Sequence, residues 1–408
     1  MTLAMASAGR WWEPTRIVGT VSGRSSDGEF LAAVAAQIRD TPPGAPSDPS
    51  TPSTPSTPSA PSAPSAPSDP SDPSPSGLPV AFGVVGFEPD SRATFHLTAG
   101  MVEGPPGAPR SSQLDPRADH APTVVSLRPR PSADDYSRTV AAALDRIARE
   151  GGDRKIVLGR WQDVTMSAPL QPAELAARLH ARNPASVVLA LPLADPRAQP
   201  ATLVAATPEL LIARRGDRIL SRPLAGSVPR ASDPGEDKER GRRLLADAKN
   251  LREHAFVVRA IADALGPLCD EFRVPAAPCL IGTDSMWHLA SPIAGRLSPQ
   301  ATKEWDALRL ARLLHPTPAV AGTPRTWAMD AISELEESPR GPFTGAAGWV
   351  DAVGDGAFHV VIRAAVVQGV SVRLFAGAGI VDGSIPAEEA AETGAKMMTV
   401  MRALGGAK

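Results

Sequence analysis

The sequence predicts an α+β fold built on largely antiparallel sheets. Three observations lead there. Short apolar runs come in clusters interrupted by single helical stretches. Adjacent runs join through hairpin signals such as Arg215-Gly216-Asp217. No strand, phosphate-binding glycine loop and helix follow one another, which argues against a doubly wound nucleotide fold.

The elements follow in order. Phe30, Leu31, Val34, Ala35 and Ile38 recur at helical spacing behind Asp27, a candidate N-cap. From Pro46 to Pro73 a proline stands at every third position. Proline removes backbone donors, and little apolar surface is there to offset ordering, so 41–76 is expected to be a disordered insertion with polyproline II bias. Strands are expected at 78–87, 94–98 and 123–127. A helix from Asp134 has Tyr136, Val140, Ala143, Leu144 and Ile147 on one face and ends at Gly151-Gly152. Lys155 opens a strand, a helix spans about 172–182, and strands return at 185–191, 201–204, 209–213 and 218–222. Pro223 to Ser227 reads as a turn, and 237–265 as helix in two pieces. Further strands fit 278–281, 286–293, 348–350, 358–367 and 370–376, and helices fit 299–314 and 324–337. Pro386 suits the first turn of a C-terminal helix, with Met397, Val400 and Leu404 on its apolar face.

Composition narrows the class. Lys+Arg 42 against Asp+Glu 44 leaves net charge −2, so no basic stripe points to nucleic acid. No apolar run reaches the ~18 residues of a membrane span. Cys269 and Cys279 lack metal or redox spacing and read as reduced thiols, which with the missing signal peptide suggests a cytoplasmic protein. No heptad or exposed apolar stripe stands out, so a monomer is expected.

Several residues carry chemistry. Glu253 shares a helix face with Phe256, Val257, Ala260 and Ile261. A carboxylate on that face should be paired or bind a cation. Glu389 projects on the apolar side of the last helix, with Glu392 at its edge and Lys396 beside it. All-oxygen ligands of this kind suit Mg²⁺ better than zinc. Lys155 is either a lysine at a strand edge in water or a buried amine serving as a base. Glu209 follows the Thr207-Pro208 break and is either a strand-end acid or an exposed residue. Arg363 falls inside an apolar strand, which suggests an anion or a buried carboxylate as partner. His288 reads as a satisfied core histidine or a binding residue. Gly377 and Gly379 suggest close approach to the backbone.

Together these motifs resemble the chorismate-binding enzymes, and among them the isochorismate synthases. The matching stretches include Lys155-Ile-Val-Leu158, Thr207-Pro-Glu-Leu-Leu211, Ser221-Arg-Pro-Leu-Ala-Gly226, 249–254, Met286-Trp-His-Leu289, 314–320, Arg340-Gly-Pro-Phe-Thr-Gly345, Ala376-Gly-Ala-Gly-Ile380 and Glu392-Thr-Gly-Ala-Lys396, in the family's order. The resemblance implies one large domain of two face-packed antiparallel sheets with helices outside, comprising 1–40 and 77–408 around the insertion. It implies Lys155 as the base that activates water and Glu209 as the acid that protonates the leaving hydroxyl. It implies Glu253 and Glu392 as Mg²⁺ ligands, with Glu389 acting through water. Arg363, Lys396 and the backbone at Gly377 would bind carboxylate. Gly226 and Ser227 would line the ring pocket, with His288, Ala319 and Phe343 also at the substrate. Ser227 keeps the hydroxyl of the family's usual threonine. Ala319 leaves room for water, where amine-adding relatives differ, so no glutaminase subunit is expected. Phe343 stands where salicylate synthases commonly show tyrosine. The alternatives are a salicylate synthase, an amine-adding enzyme, and a non-catalytic homologue using the proline segment as a docking arm.

Overall fold

The computed structural model describes residues 4–7, 10–14, 17–42, 78–99, 101–104, 122–151, 153–194 and 199–405. Among them the strands form antiparallel sheets of ten, nine and three strands. The ten-stranded sheet runs Gly322–Thr323, Lys155–Met166, Ser371–Ile380, Ala364–Gln368, Ala201–Thr207, Val187–Leu193, Ala4–Ser7, Arg10–Pro14 and Met101–Gly104, and Val124–Arg130 pairs with the far half of the Lys155 strand. The nine-stranded sheet runs Cys269–Arg273, Ile293–Leu297, Arg218–Arg222, Leu210–Arg215, Gly356–Val360, Ala346–Asp351, Val80–Val85, Arg92–Thr98 and Ile17–Arg24.

The two large sheets pack face to face. Met5, Trp12, Leu189 and Leu203 from one meet Phe82, Trp349 and Ala357 from the other in a single core cluster. Helices cover the outer faces. Pro172–Arg182 and Pro386–Ala403 bury Leu175, Leu179, Val400 and Met401 against the ten-stranded sheet. This two-sided burial explains why Val187–Leu193 and Val80–Val85 read as continuous apolar runs instead of alternating. No helix among the described residues is long and apolar enough to cross a membrane.

Local signals hold where they are chemical. Asp27 caps Gly28–Asp40 by accepting from the N–H groups of Glu29 and Phe30. Gly151 ends Ala133–Glu150 at φ 64°. Asp237–Leu265 is helical as two pieces, Pro234–Leu244 and Ala248–Leu265. The expected strands at 286–293 and 358–367 and the helix at 299–314 each split in two. The N-terminal forty residues, in which the sequence marks only the helix behind Asp27, also supply strands to both large sheets. The expectation for 41–76 falls outside the described residues from position 43 onward.

Two corrections position the site. Pro223–Ser227 is not a simple turn: Leu224–Pro229 is a strand of the small sheet, paired with Met286–Ala290 through a register shift between Leu224 and Ser227. Gly226 takes φ 80° at that shift, which explains why the stretch carries turn chemistry. Arg363 does not lie inside a strand. The chain leaves the nine-stranded sheet after Val360 and enters the ten-stranded sheet at Ala364, and Arg363 takes φ 52° at the crossing. A second crossing lies alongside, from Ala201–Thr207 to Leu210–Arg215 through Pro208 and Glu209. The crossings are stitched together: the N–H of Ala206 donates to the carbonyl of Arg363, and that of Val360 to the carbonyl of Glu209. Glu209 and Arg363 are thereby delivered side by side.

Candidate active site

The cavity at these crossings is lined by Glu209, Gly226, Ser227, Glu253, His288, Ala319, Phe343, Arg363, Gly377, Glu392 and Lys396, among others. Residues expected from nine separate stretches of sequence are therefore brought together. Lys155 lies just behind, fully buried, with Nζ 3.0 Å from Oε1 of Glu253. The solvated strand-edge alternative for Lys155 is excluded by that burial. Its ammonium has no aligned hydrogen-bond acceptor among the described residues, so Glu253 compensates it by charge alone. Glu253 is accordingly the paired carboxylate that its apolar helix face required.

Glu209 is buried, and desolvation pushes its carboxyl up to about 7 against the weaker opposing pull of a Leu224 N–H and of Lys155, Arg363 and Lys396. Near neutral pH it can therefore hold a proton. Burial lowers Arg363 to about 10 although Glu392 and Glu209 favour its charge. Its Nη2 stands 3.3 Å from Nε2 of His288. Burial, and then Arg363 and Lys396, hold the His288 imidazole well below its usual value. The neutral ring accepts from the guanidinium through Nε2, so His288 is both buried and part of the site.

The last helix supplies a second charged group. Lys396 Nζ is 2.7 Å from Oε1 of Glu392 and donates to the carbonyl of Gly377 at 2.8 Å. The Ser227 hydroxyl donates to the same Glu392 oxygen at 2.7 Å. Glu389, one turn earlier, is almost fully buried and accepts from Lys249 at 2.6 Å. It does not line the cavity itself. Among the described residues no three acidic, histidine or cysteine side chains form a ready-made metal cluster. Glu253 and Glu392 nonetheless face one cavity, and each of the three glutamates holds a lysine ammonium as its present counterion.

The glycines have a concrete cause. A Cβ at Gly379 would lie 2.1 Å from Oε1 of Glu253 and 3.0 Å from Cε of Lys155. The strand Ser371–Ile380 stays paired with the Lys155 strand to Ile380, but its pairing with Ala364–Gln368 stops at Leu374. Its free edge from Phe375 onward opens to the cavity at Gly377. Phe343 stacks on Phe375 with centroids 5.1 Å apart and closes one wall.

Three supporting residues lay outside the expected set. His254 bridges the carbonyl of Ala225 at 3.1 Å and the hydroxyl of Ser291 at 2.8 Å, fixing the strand that carries Gly226. The buried pair Glu336 and Arg340 braces the opposite wall. Arg340 stood in a quoted motif, but nothing in its spacing marked it as buried.

The sequence profile of the family described as "Chorismate binding enzyme" matches residues 108–405. The isochorismate synthase DhbC of Bacillus subtilis (strain 168) is 46% identical over 282 residues, 68% of this chain and 70% of that protein. The isochorismate synthase EntC of Escherichia coli (strain K12) is 38% identical over 327 residues, 80% of this chain and 81% of that one. The solved structure of DhbC from Bacillus anthracis superposes with a TM-score of 0.81 at 33% identity, covering 100% of this chain and 96% of that one. With sequence, fold and cavity in agreement, the chain belongs to the chorismate-binding enzymes, as one of their isochorismate synthases.

Proposed function

We propose that the protein converts chorismate to isochorismate in a Mg²⁺-dependent reaction, with Lys155 as base and Glu209 as acid. Lys155 takes a proton from the water whose oxygen bonds to C2 of the ring. The ring double bonds shift, the C4–O bond breaks, and Glu209 gives its proton to the departing hydroxyl, which leaves as water. One water enters and one leaves, so the net change is an isomerisation. The observation that carries this reading is a buried carboxyl held near 7 in the same cavity as Arg363 and Lys396, with a buried lysine behind it. Arg363 and Lys396 suit a dianionic substrate, and the open strand edge at Gly377 suits its carboxylate.

The donor chemistry fits Mg²⁺: Glu253 and Glu392 offer carboxylate oxygen to one cavity, with Glu389 adjacent on the same helix. The bound ion would supply positive charge to a substrate carboxylate. Glu253, which stands 3.0 Å from the Lys155 amine, would be shared between that amine and the ion. The product would feed menaquinone or siderophore synthesis, and the protein would act as a cytoplasmic monomer without a glutaminase partner.

Phe343 has no hydroxyl, and Ala319 lines the cavity as a small side chain, which supports water addition without elimination. Purified protein incubated with chorismate and Mg²⁺, without ammonia, is expected to yield isochorismate alone. Turnover should vanish with a chelator, and Lys155→Ala should lose about 10²–10⁴-fold while still binding chorismate. Stoichiometric salicylate and pyruvate would make it a salicylate synthase instead. Unchanged turnover in Lys155→Ala would remove that residue from the mechanism.

A further inference from the structure

On the edge opposite Ser371–Ile380, the Lys155 strand pairs with Gly322–Thr323 at its start and with Val124–Arg130 from Trp161 onward, and between them it lacks a strand neighbour. Gly322 pairs with Ile156 and Thr323 with Lys155, and the last rung runs from the N–H of Val157 to the carbonyl of Ala321 at 2.8 Å. Beyond it the partner segment turns away, its own N–H groups at Val320 and Ala321 donating back to the carbonyl of Thr317. The two chains splay, and the cavity opens beside Val157, Ala319 and Val320.

A buried ion pair spans the splay. Arg340 Nη2 donates to the carbonyl of Val157 and Nη1 to the carbonyl of Val320, each at 2.7 Å. Nη1 also reaches the hydroxyl of Thr344 at 3.2 Å. Glu336 accepts from Nε of Arg340 at 2.9 Å and from the N–H of Gly159 at 2.7 Å. Three backbone groups that a continuing ladder would satisfy are satisfied by this pair instead. A buried ion pair is a weak device for stability, since well-packed apolar residues often serve as well. What this one does is hold two chain segments at a fixed separation.

We infer that Glu336 and Arg340 are positioning residues: a strut that sets the width of the slot between the Lys155 strand and Ala319, where the attacking water must fit. Neither residue lines the cavity, but Val157, Val320 and Thr344, which Arg340 touches, all do. Phe343, the other wall, lies under the same guanidinium at 5.9 Å. A Cβ at Gly159 would meet Cε1 of Phe343 at 3.0 Å and Oε1 of Glu336 at 3.3 Å, so the strut is built to a close tolerance. The inference rests on the reading of Lys155 as the base.

The test uses the full chain carrying Glu336→Gln or Arg340→Lys, with Gly159→Ala as a variant that crowds the strut without breaking it. Melting temperature, kcat, KM and product distribution are measured for each. The expected result is a folded protein whose kcat falls about a hundredfold while KM stays within about threefold, as misplacing a reacting group by about an ångström costs. Arg340→Lys should retain more kcat than Arg340→Met. Wild-type kcat in every variant that folds, whatever the melting temperature, would overturn the inference, as would a kcat that falls only in proportion to the folded fraction. Lys155→Ala is assayed alongside. If it turns over normally, the base assignment fails; if it is dead while the strut variants are fully active, the strut alone fails.

Discussion

At the scale of the residue, the informative feature is that burial and charge pull against each other at named atoms. Glu209 is the clearest case. Its proton is held up to about 7 by desolvation, so the acid form needed by the leaving hydroxyl is lost as pH rises through that value. The folded protein holds this proton more tightly than the unfolded chain does. The resulting stabilisation is full below the ordinary carboxyl range and fades as pH rises to about 7. The expected profile of kcat falls on the alkaline side with an apparent pKa near 7, and Glu209→Gln removes that limb with most of the turnover. A profile flat across neutrality would show that Glu209 is not the proton donor. Much at this scale was readable beforehand. A carboxylate on an apolar helix face must find a cation, and Glu253 found Lys155. The environment of His288 was not readable, because its partner Arg363 arrives from a distant crossing.

Elements explain which parts of the site resisted reading. Helices announced themselves, since caps and apolar faces are local: Asp27, Gly151 and the face of Pro386–Ala403 needed no tertiary information. The strand Leu224–Pro229 was hidden because a bulge at Gly226 uses the same residues as a turn. The crossing at Arg363 was hidden because the apolar pattern of one strand continues into the next, with no glycine or proline between them. Gly379 was legible as a glycine of close approach, though not what approached it. Its substitution is a sharp test of the packing between the Ser371–Ile380 strand and the Glu253 helix. In Gly379→Ala the new methyl displaces the Glu253 carboxylate from Lys155, and overpacking of this kind costs about 1–3 kcal/mol. The expected result is a slightly lowered melting temperature with turnover reduced by at least about a hundredfold. Full activity would mean that the Lys155–Glu253 contact is dispensable.

For the molecule as a whole, the two sheets share one core, and the first strands of the chain are part of it. Met5 and Trp12 are buried between the sheets although they precede every site residue by more than a hundred positions. Trp12→Ala is expected to destabilise the protein by about 3–5 kcal/mol, seen as a lower denaturant midpoint. KM of the folded fraction should be unchanged; a shifted KM would mean that the N-terminal strands act on the site directly. The overall architecture was legible as a class because antiparallel pairing leaves hairpin signals. The assignment of strands to sheets was not, since Ala4–Ser7 pairs with Val187–Leu193 across most of the first half of the chain.

The two stitched crossings have a consequence for how such a protein comes into being. Lys155, Glu209, Glu253, His288, Arg363 and Glu392 sit on separate segments, and their neighbours are set by pairings between residues far apart in sequence. Topologies dominated by such distant pairings are slow to form, because loop closure must precede the contacts that reward it. No short stretch of the chain holds Lys155, Glu209 and Arg363 together. A nascent or fragmentary chain therefore has no partial catalytic power to offer, and the first turnover of a refolding molecule marks the completion of its whole topology.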